Sequence, residues 1–438
     1  MSHMLNSVKQ YFEFEKFNTN FRTEIFAGLT VFLAMSYILS VNPAILGQTG
    51  MDKGAVFTAT ALSSAFACFI MGVFARYPVV LAPAMGMNAL FTYGTVIALD
   101  IPWETAIAGI FVSGIIFFLL SVSGIREKVI RAVPADMKYA VTAALGFFIC
   151  FIGLRNAGII TDNKATLVQL GDLTEPSVML ALAGLVLTVF LIARGMKLAV
   201  FFGVLLTTLV GVAVGLNPMP EGVVAAPPSL TPTFGAAITH LPNVFTMKMM
   251  VVIITFLFID FFDAVGTIIA VCNGIGVVDK KGNIPNVRSA LFADASGTIV
   301  GSVLGTSSIT SYSESAVAVG SGGRTGFTSL VTAGCMLIAL FFFPLIAVFT
   351  TVSTSPALIA VGVFMASSMA KIDWTKMEYK IPAFFTIIIT ILSYSLVDGI
   401  AFGFTLYPIS MIAQGRGREV SPTMYVLCGI FMMYYFFL

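Results

Sequence analysis

Apolar runs of roughly twenty residues, long enough to cross the ~30 Å hydrocarbon core of a bilayer as helices, recur along this chain, as at 103–122, 177–193, 249–271 and 327–350. Inside lipid every backbone N–H and C=O needs an internal partner, which leaves only helices or closed barrels. These runs are continuous rather than alternating, so they predict helices. Composition agrees: 58% of the 438 residues are hydrophobic and 10% are charged, whereas a soluble domain carries about 25% charged residues. The chain cannot coat a water-facing surface. Its fold class is an all-α polytopic membrane protein.

Spans are expected near 24–41, 54–74, 82–97, 103–122, 138–154, 177–193 and 198–215. They resume near 249–271, 289–304, 312–319, 327–350, 356–370, 380–396 and 399–413, about fourteen in all. Lys9, Lys16 and Arg22 precede the first span. Arg76, then Arg126, Lys128 and Arg131, then Arg194 and Lys197 follow even-numbered ones. The positive-inside rule therefore puts the N-terminus in the cytoplasm. Lys280, Lys281, Arg288, Lys371, Lys376, Lys380, Arg416 and Arg418 keep to the same side if each half crosses an odd number of times. The second half is then inverted relative to the first, an arrangement common among secondary transporters. We expect a first repeat over 1–216, an extracytoplasmic connecting loop over 217–248, and a second repeat over 249–438. The run 421–437 breaks the parity and reads as a partial or interfacial segment.

Several function classes drop out. A net charge of +2 offers no field for nucleic acid. The five cysteines stand singly in apolar stretches, without metal or disulfide spacing. His3 and His240 are the only histidines, and His240 lies in a polar, Pro-rich loop, so histidine chemistry is not expected. No cofactor and no catalytic activity are expected either. A cleavable signal peptide is not expected, because the polar stretch Asn6–Arg22 leads directly into a full-length span.

Two spans differ from ordinary membrane helices. Val80–Ala89 carries Pro83, Gly86 and Asn88 where a helix favours Ala or Leu, and Gly305–Ser315 is too polar and too short to cross as a helix. Each is third in its half, and interrupted segments at matching positions point to a transporter's binding site. A proline kink and an extramembrane loop are the alternative readings. Ionised side chains in lipid cost at least ~2.5–3.5 kcal/mol, so intramembrane acids are functional candidates. Asp260 and Asp263 share a helix face through i, i+3 spacing. Glu314 is expected to open the short tenth helix, and Asn88 the matching half-helix of the third span. Ser313, Met87 and Phe262 complete the expected substrate-binding set, Phe262 as a ring able to stack. Asp263, Glu314 and Asp294 are the candidates for support or proton coupling, since a carboxyl shielded from water can take up and release a proton near neutral pH. Hydrogen bonding to a neighbouring span is the structural alternative for Asp260 and Asp263. For Asp294, packing against the broken segments is equally open. Glu24 and Asp398 sit at span ends, where charge is cheap. Tyr37 and Tyr312 read as packing aromatics able to stack on a ring, and Arg324 as a cytoplasmic residue.

Ala34-Met35-Ser36-Tyr37-Ile38 with Val41-Asn42-Pro43, Ala82–Ala89, Asp260-Phe261-Phe262-Asp263 with Gly266-Thr267, and Gly305–Ser308 through Glu314-Ser315 to Gly322–Gly326 form an ordered set. It resembles the signature of AzgA-type purine permeases of the nucleobase–ascorbate transporter superfamily. The resemblance covers nearly the whole chain. It implies two inverted sevens of membrane segments, a core domain (about 24–122 and 249–350) and a gate domain (about 138–215 and 356–438). It also implies short strands before the half-helices of segments three and ten. It further implies import of hypoxanthine, guanine or adenine with protons through an elevator-like core movement in the cell membrane, and a possible homodimer. By the same resemblance Asp260 and Glu314 would hold the purine, with Asn88 nearby and Asp263 supporting. The uracil, xanthine and ascorbate branches carry a Gln-His pair in the first span that is missing here.

An anion transporter of the sulfate-permease type on the same fold is the nearest competitor. Several acids at the site and the lack of a large soluble C-terminal domain disfavour it. An intramembrane aspartyl protease would need Tyr-Asp and Gly-x-Gly-Asp settings, which the sequence lacks. A channel is disfavoured by the dispersed polar positions.

Overall fold

The computed structural model describes residues 2–123, 133–278 and 284–437, and every side chain within them but those of 2–5, 261, 262 and 434–437. Arg126, Lys128, Arg131, Lys280, Lys281 and the side chain of Phe262 therefore lie outside the described residues. An N-terminal helix α1 (Ser2–Tyr11) precedes the first crossing, which runs as α2 (Phe21–Met35) and α3 (Ile38–Leu46), offset at Ser36–Tyr37. Helix α4 (Lys53–Ile70) starts where the Asp52 side chain accepts from the Ala55 amide at 2.8 Å, a cap for an otherwise orphaned donor. The third segment is a strand, β1 (Leu81–Pro83), followed by the half-helix α5 (Met85–Ala89), which continues in wider turns to Ile97. Helix α6 (Trp103–Ser123) closes this group.

Helix α7 (Ala135–Asn156), a hairpin of β2 (Ile160–Asn163) and β3 (Leu167–Leu170), and helices α8 (Pro176–Ala193) and α9 (Ala199–Ala213) complete the first half. The second half repeats the order. It runs α10 (Met247–Gly274), α11 (Val287–Leu304), strand β4 (Ile309–Ser311) with half-helix α12 (Ser315–Gly320), then α13 (Gly326–Ala339). Helices α14 (Thr351–Ala366), α15 (Met377–Leu392), α16 (Leu396–Ala413) and α17 (Pro422–Phe437) follow. Among the described residues, nine helices are long and apolar enough to cross a bilayer. The run 421–437 forms helix α17, packed on α16 and α10. The span expected over 327–350 is one apolar stretch, Gly326–Ile346, with a break in its α-helical ladder: α13 ends at Ala339, and a tighter turn over Leu340–Phe342 leads to a short helix over Phe343–Ile346. Pro344 explains the break, since it has no N–H to continue the ladder.

Contacts in the two halves mirror each other. Helix α13 packs on α2 and α4, as α6 packs on α10 and α11. These helices and the two broken segments form one bundle. A second bundle is made of α7, α8, α9, α14, α15 and α16, where α8 lies on α14 as α15 lies on α7. Without a hydrophobic drive between helices in lipid, close approach depends on small residues. In α8 and α9, Gly184 faces Thr207 and Gly203 faces Thr188. In α15 and α16, Gly399 faces Thr390 and Gly403 faces Thr386, and a Cβ on any of these glycines would collide with the threonine. Each threonine hydroxyl is turned back to the carbonyl four residues earlier, at 2.6–2.8 Å. The α7–α14 crossing is tighter still, because a Cβ on Gly146 would run into the backbone of Gly362 and Ala366. Gly146→Val should therefore cost more than the ~1–3 kcal/mol typical of overpacking, since backbone rather than a side chain must yield. A fall in the melting temperature in detergent would register it, and an unchanged value would contradict the crossing.

Candidate functional site

In the first bundle the two broken segments meet. β1 and β4 pair antiparallel, with Leu81 opposite Ser311, Ala82 opposite Thr310 and Pro83 opposite Ile309. The pairing extends beyond the strands, with Ala84 N–H donating to Ser308 O at 3.1 Å and Tyr312 N–H to Val80 O at 2.9 Å. The outer edges are met by side chains. Val80 N–H donates to Ser315 Oγ at 3.0 Å, Leu81 N–H to Cys68 Sγ at 3.1 Å, and Tyr312 OH to Pro83 O at 2.9 Å. Extended backbone is tolerated at membrane depth only when protein satisfies it in this way.

Glu314 caps the start of α12, as expected, and is partly exposed. Tyr37 OH, at the break between α2 and α3, donates to Glu314 Oε1 at 2.6 Å, and the exposed Ser313 hydroxyl donates to Oε2 at 3.1 Å. Asp263 is half-buried and lies within electrostatic reach of Glu314. Asp260, one turn earlier, is 2% exposed. Its Oδ2 lies 3.2 Å from Thr298 Oγ1 of α11, while its Oδ1 has no partner. Asp294 is wholly buried, with Oδ2 accepting from Ser311 N–H at 3.1 Å and Ser311 Oγ at 2.5 Å. Met87 and Asn88 are buried on α5. Asn88 does not open its half-helix as expected: Met85 does, and Asn88 lies within it because the extended backbone already ends at Ala84. Its Oδ1 accepts from the Ser307 hydroxyl just ahead of β4, and its Nδ2 has no partner.

One expectation fails outright. Glu24 is not a cheap charge at a span end but is completely buried. Its carboxyl accepts from Thr19 Oγ1 (2.9 Å), Arg324 N–H (3.0 Å), Thr325 N–H (3.3 Å) and Thr328 Oγ1 (2.5 Å). It collects orphaned donors at the start of α13 and fixes the loop behind α12 to the first crossing. Arg324 adds to this by donating from Nη1 to Val319 O at 2.7 Å and Gly323 O at 2.9 Å. From the second bundle, Lys197 Nζ donates to Gly320 O at 2.7 Å, the last residue of α12.

Tyr37 is the residue that sequence reasoning undervalued; its partner is 277 positions away, and only its place in a break between helices hinted at a role. It also lines the far side of a cavity of about 550 Å³ with Phe32, Phe201, Phe342 and Phe349. That cavity is apolar and contains none of the acids. Among the described residues, no cluster of three His, Cys, Asp or Glu side chains has the arrangement of a metal site.

A paired strand and half-helix from each half, with acids gathered beside them inside a helical membrane bundle, define a polytopic permease. The chain matches the permease family Xan_ur_permease over residues 22–436 and belongs to it. It is 46% identical to the guanine/hypoxanthine permease PbuG of Bacillus subtilis, over 98% of this chain and 100% of that one. To the adenine permease AdeP of Escherichia coli it is 38% identical, over 97% and 95%. Among solved structures, the transmembrane domain of the cyanobacterial bicarbonate transporter BicA superposes with a TM-score of 0.60, covering 90% of this chain and 97% of that one. At 15% identity this likeness concerns the fold.

Proposed function

We propose that this protein imports purine nucleobases across the plasma membrane by proton symport, with its N-terminus in the cytoplasm and the first bundle moving as a core past the second as a gate. The observation that carries the reading is the Glu314 carboxylate, held by Tyr37 at the head of a half-helix whose strand pairs with the segment bearing Asn88. A purine presents ring N–H donors and ring nitrogen or carbonyl acceptors on one rigid plane. Glu314 and Asp260 accept from the N–H groups, and the unpartnered Asn88 Nδ2 donates to an acceptor. Ser313 and Met87 border the base, while Asp263 supports Glu314. The relatives named for guanine, hypoxanthine and adenine support this substrate class. The acids disfavour an anionic cargo, although the fold is shared with anion transporters.

Uptake of radiolabelled hypoxanthine, guanine, adenine and uracil into transport-deficient cells tests the reading. Purine accumulation that collapses with a protonophore is the expected result. Accumulation of uracil alone, or purine uptake indifferent to the protonophore, would refute the substrate class or the coupling ion respectively.

A further inference from the structure

Behind strand β4, on the side of α11, the structure holds an arrangement that the substrate site does not account for. Asp260 Oδ1, Asp294 Oδ1 and Thr310 Oγ1 are all buried and all lack a hydrogen-bond partner. Their residues are 2%, 0% and 1% exposed. Thr310 lies within electrostatic reach of both carboxyl groups, which also sense each other. Three orphaned polar atoms at one place in a membrane interior are costly.

A hydroxyl has one hydrogen to donate and lone pairs to accept with, while an ionised carboxylate can only accept. Between two ionised carboxylates, Thr310 can satisfy one and must leave the other unmet. A single added proton changes that. An Asp294 carboxylic acid donates to Thr310 Oγ1, and Thr310 then donates to Asp260 Oδ1. All three atoms gain a partner. Among the described residues, no side-chain cation stands ready to neutralise the pair instead. The elements packed on α11 bring Asp260 and Asp263 from α10, Thr310 and Ser311 from β4, and from α4 Cys68, which bonds Leu81 of β1. Their remaining charged groups, Lys53, Glu104, Lys248 and Arg288, sit in the first turns of α4, α6, α10 and α11.

We infer that Asp294, Thr310 and Asp260 form a one-proton bridge behind β4, which holds the coupling proton apart from the purine and transmits its presence through Asp260. The inference rests on the proposed purine–proton reading. A carboxylate offers about four lone-pair sites, so Asp260 can accept from Thr310 and from a purine N–H together. With the proton on Asp294, Asp260 stays ionised, oriented and able to bind the base. Without it, two negative charges flank Thr310, and the strand that leads to Glu314 is pushed from behind. Proton and purine therefore favour each other's binding, and by linkage the effect is reciprocal. Purine affinity falls as pH rises through the titration of the pair.

The test uses purified full-length protein. Hypoxanthine affinity is measured from acid to alkaline pH by scintillation proximity, alongside uptake and counterflow in proteoliposomes. Wild type should lose affinity as pH rises. In Asp294→Asn the amide donates permanently in place of the acid. Affinity should then become flat with pH, counterflow should persist, and accumulation driven by a pH gradient should vanish. Thr310→Ser should keep the wild-type pH profile, and Thr310→Val should lose it. If Asp294→Asn does not fold, the threonine pair decides. An infrared carbonyl band from a buried protonated carboxyl should be present in wild type and altered in Thr310→Val. An unchanged pH profile in Asp294→Asn or Thr310→Val, while wild type accumulates purine with protons, would overturn the bridge and leave the transport reading intact. A wild type that neither binds nor accumulates purines would overturn the transport reading first.

Discussion

Glu314→Gln is expected to remove nearly all purine uptake while leaving the protein folded and inserted. Glutamine keeps the shape, and its amide oxygen can still accept from Tyr37 OH, which now lies 2.6 Å from Glu314 Oε1. What disappears is the charge facing the ligand. Hydrogen bonds to charged groups contribute about 1.5–3 kcal/mol, which corresponds to roughly a 10- to 150-fold loss of affinity at 1.4 kcal/mol per factor of ten. Direct binding and initial uptake rates should fall together, because the lost contact is with the substrate. Tyr37→Phe, which removes the hydroxyl but keeps the ring, should weaken uptake less than Glu314→Gln does, because the carboxylate keeps its charge toward the ligand and loses only the bond that orients it. Wild-type uptake by Glu314→Gln at normal expression would remove Glu314 from the site.

The second large effect concerns movement between the bundles. Lys197 of the α8–α9 connection and Gly320 at the end of α12 are held together by one hydrogen bond of 2.7 Å. Both residues are exposed. Lys197→Cys combined with Gly320→Cys, in a background freed of the five native cysteines, should be bridged by mercury or a short bis-maleimide. Uptake should be near normal before bridging, close to zero after it, and restored when a thiol strips the mercury. The logic is geometric: if the core carries its site past the gate, a covalent tie between them stops every cycle. Full uptake by the bridged protein would mean that α12 does not travel relative to the second bundle.

What the sequence disclosed follows from how local the physics is. Membrane helices are a matter of run length, so the crossings were legible, including the odd ones at segments three and ten, where Pro83, Gly86 and a polar stretch cannot be an ordinary span. The acids were legible because charge in lipid is rare. The register Leu81–Ser311 was not, for pairing between distant strands leaves no periodicity in either. Asn88 lies within α5 rather than at its head, and nothing local in the sequence fixes where β1 stops and the helix starts. The burial of Glu24 is illegible in the sequence for a related reason. A carboxyl near a span end normally reaches water, and only the fold supplies the two backbone N–H groups and the hydroxyl some 300 positions away that enclose it. Tyr37 looked like any packing aromatic until Glu314 arrived beside it.

The β1–β4 pair also constrains the order in which this protein can be built. Leu81–Pro83 emerges from the ribosome long before Ile309–Ser311, its strand partner. In the interval its backbone, apart from the Leu81 N–H that Cys68 accepts, lacks the groups it pairs with in the fold, and in hydrocarbon each unmet group costs several kcal/mol. The third segment must therefore wait at the interface or within the insertion machinery until the tenth is translated. Insertion here is not a succession of independent helices. The permease becomes competent in one late event, when the second strand closes on the first and both half-helices acquire their final depth.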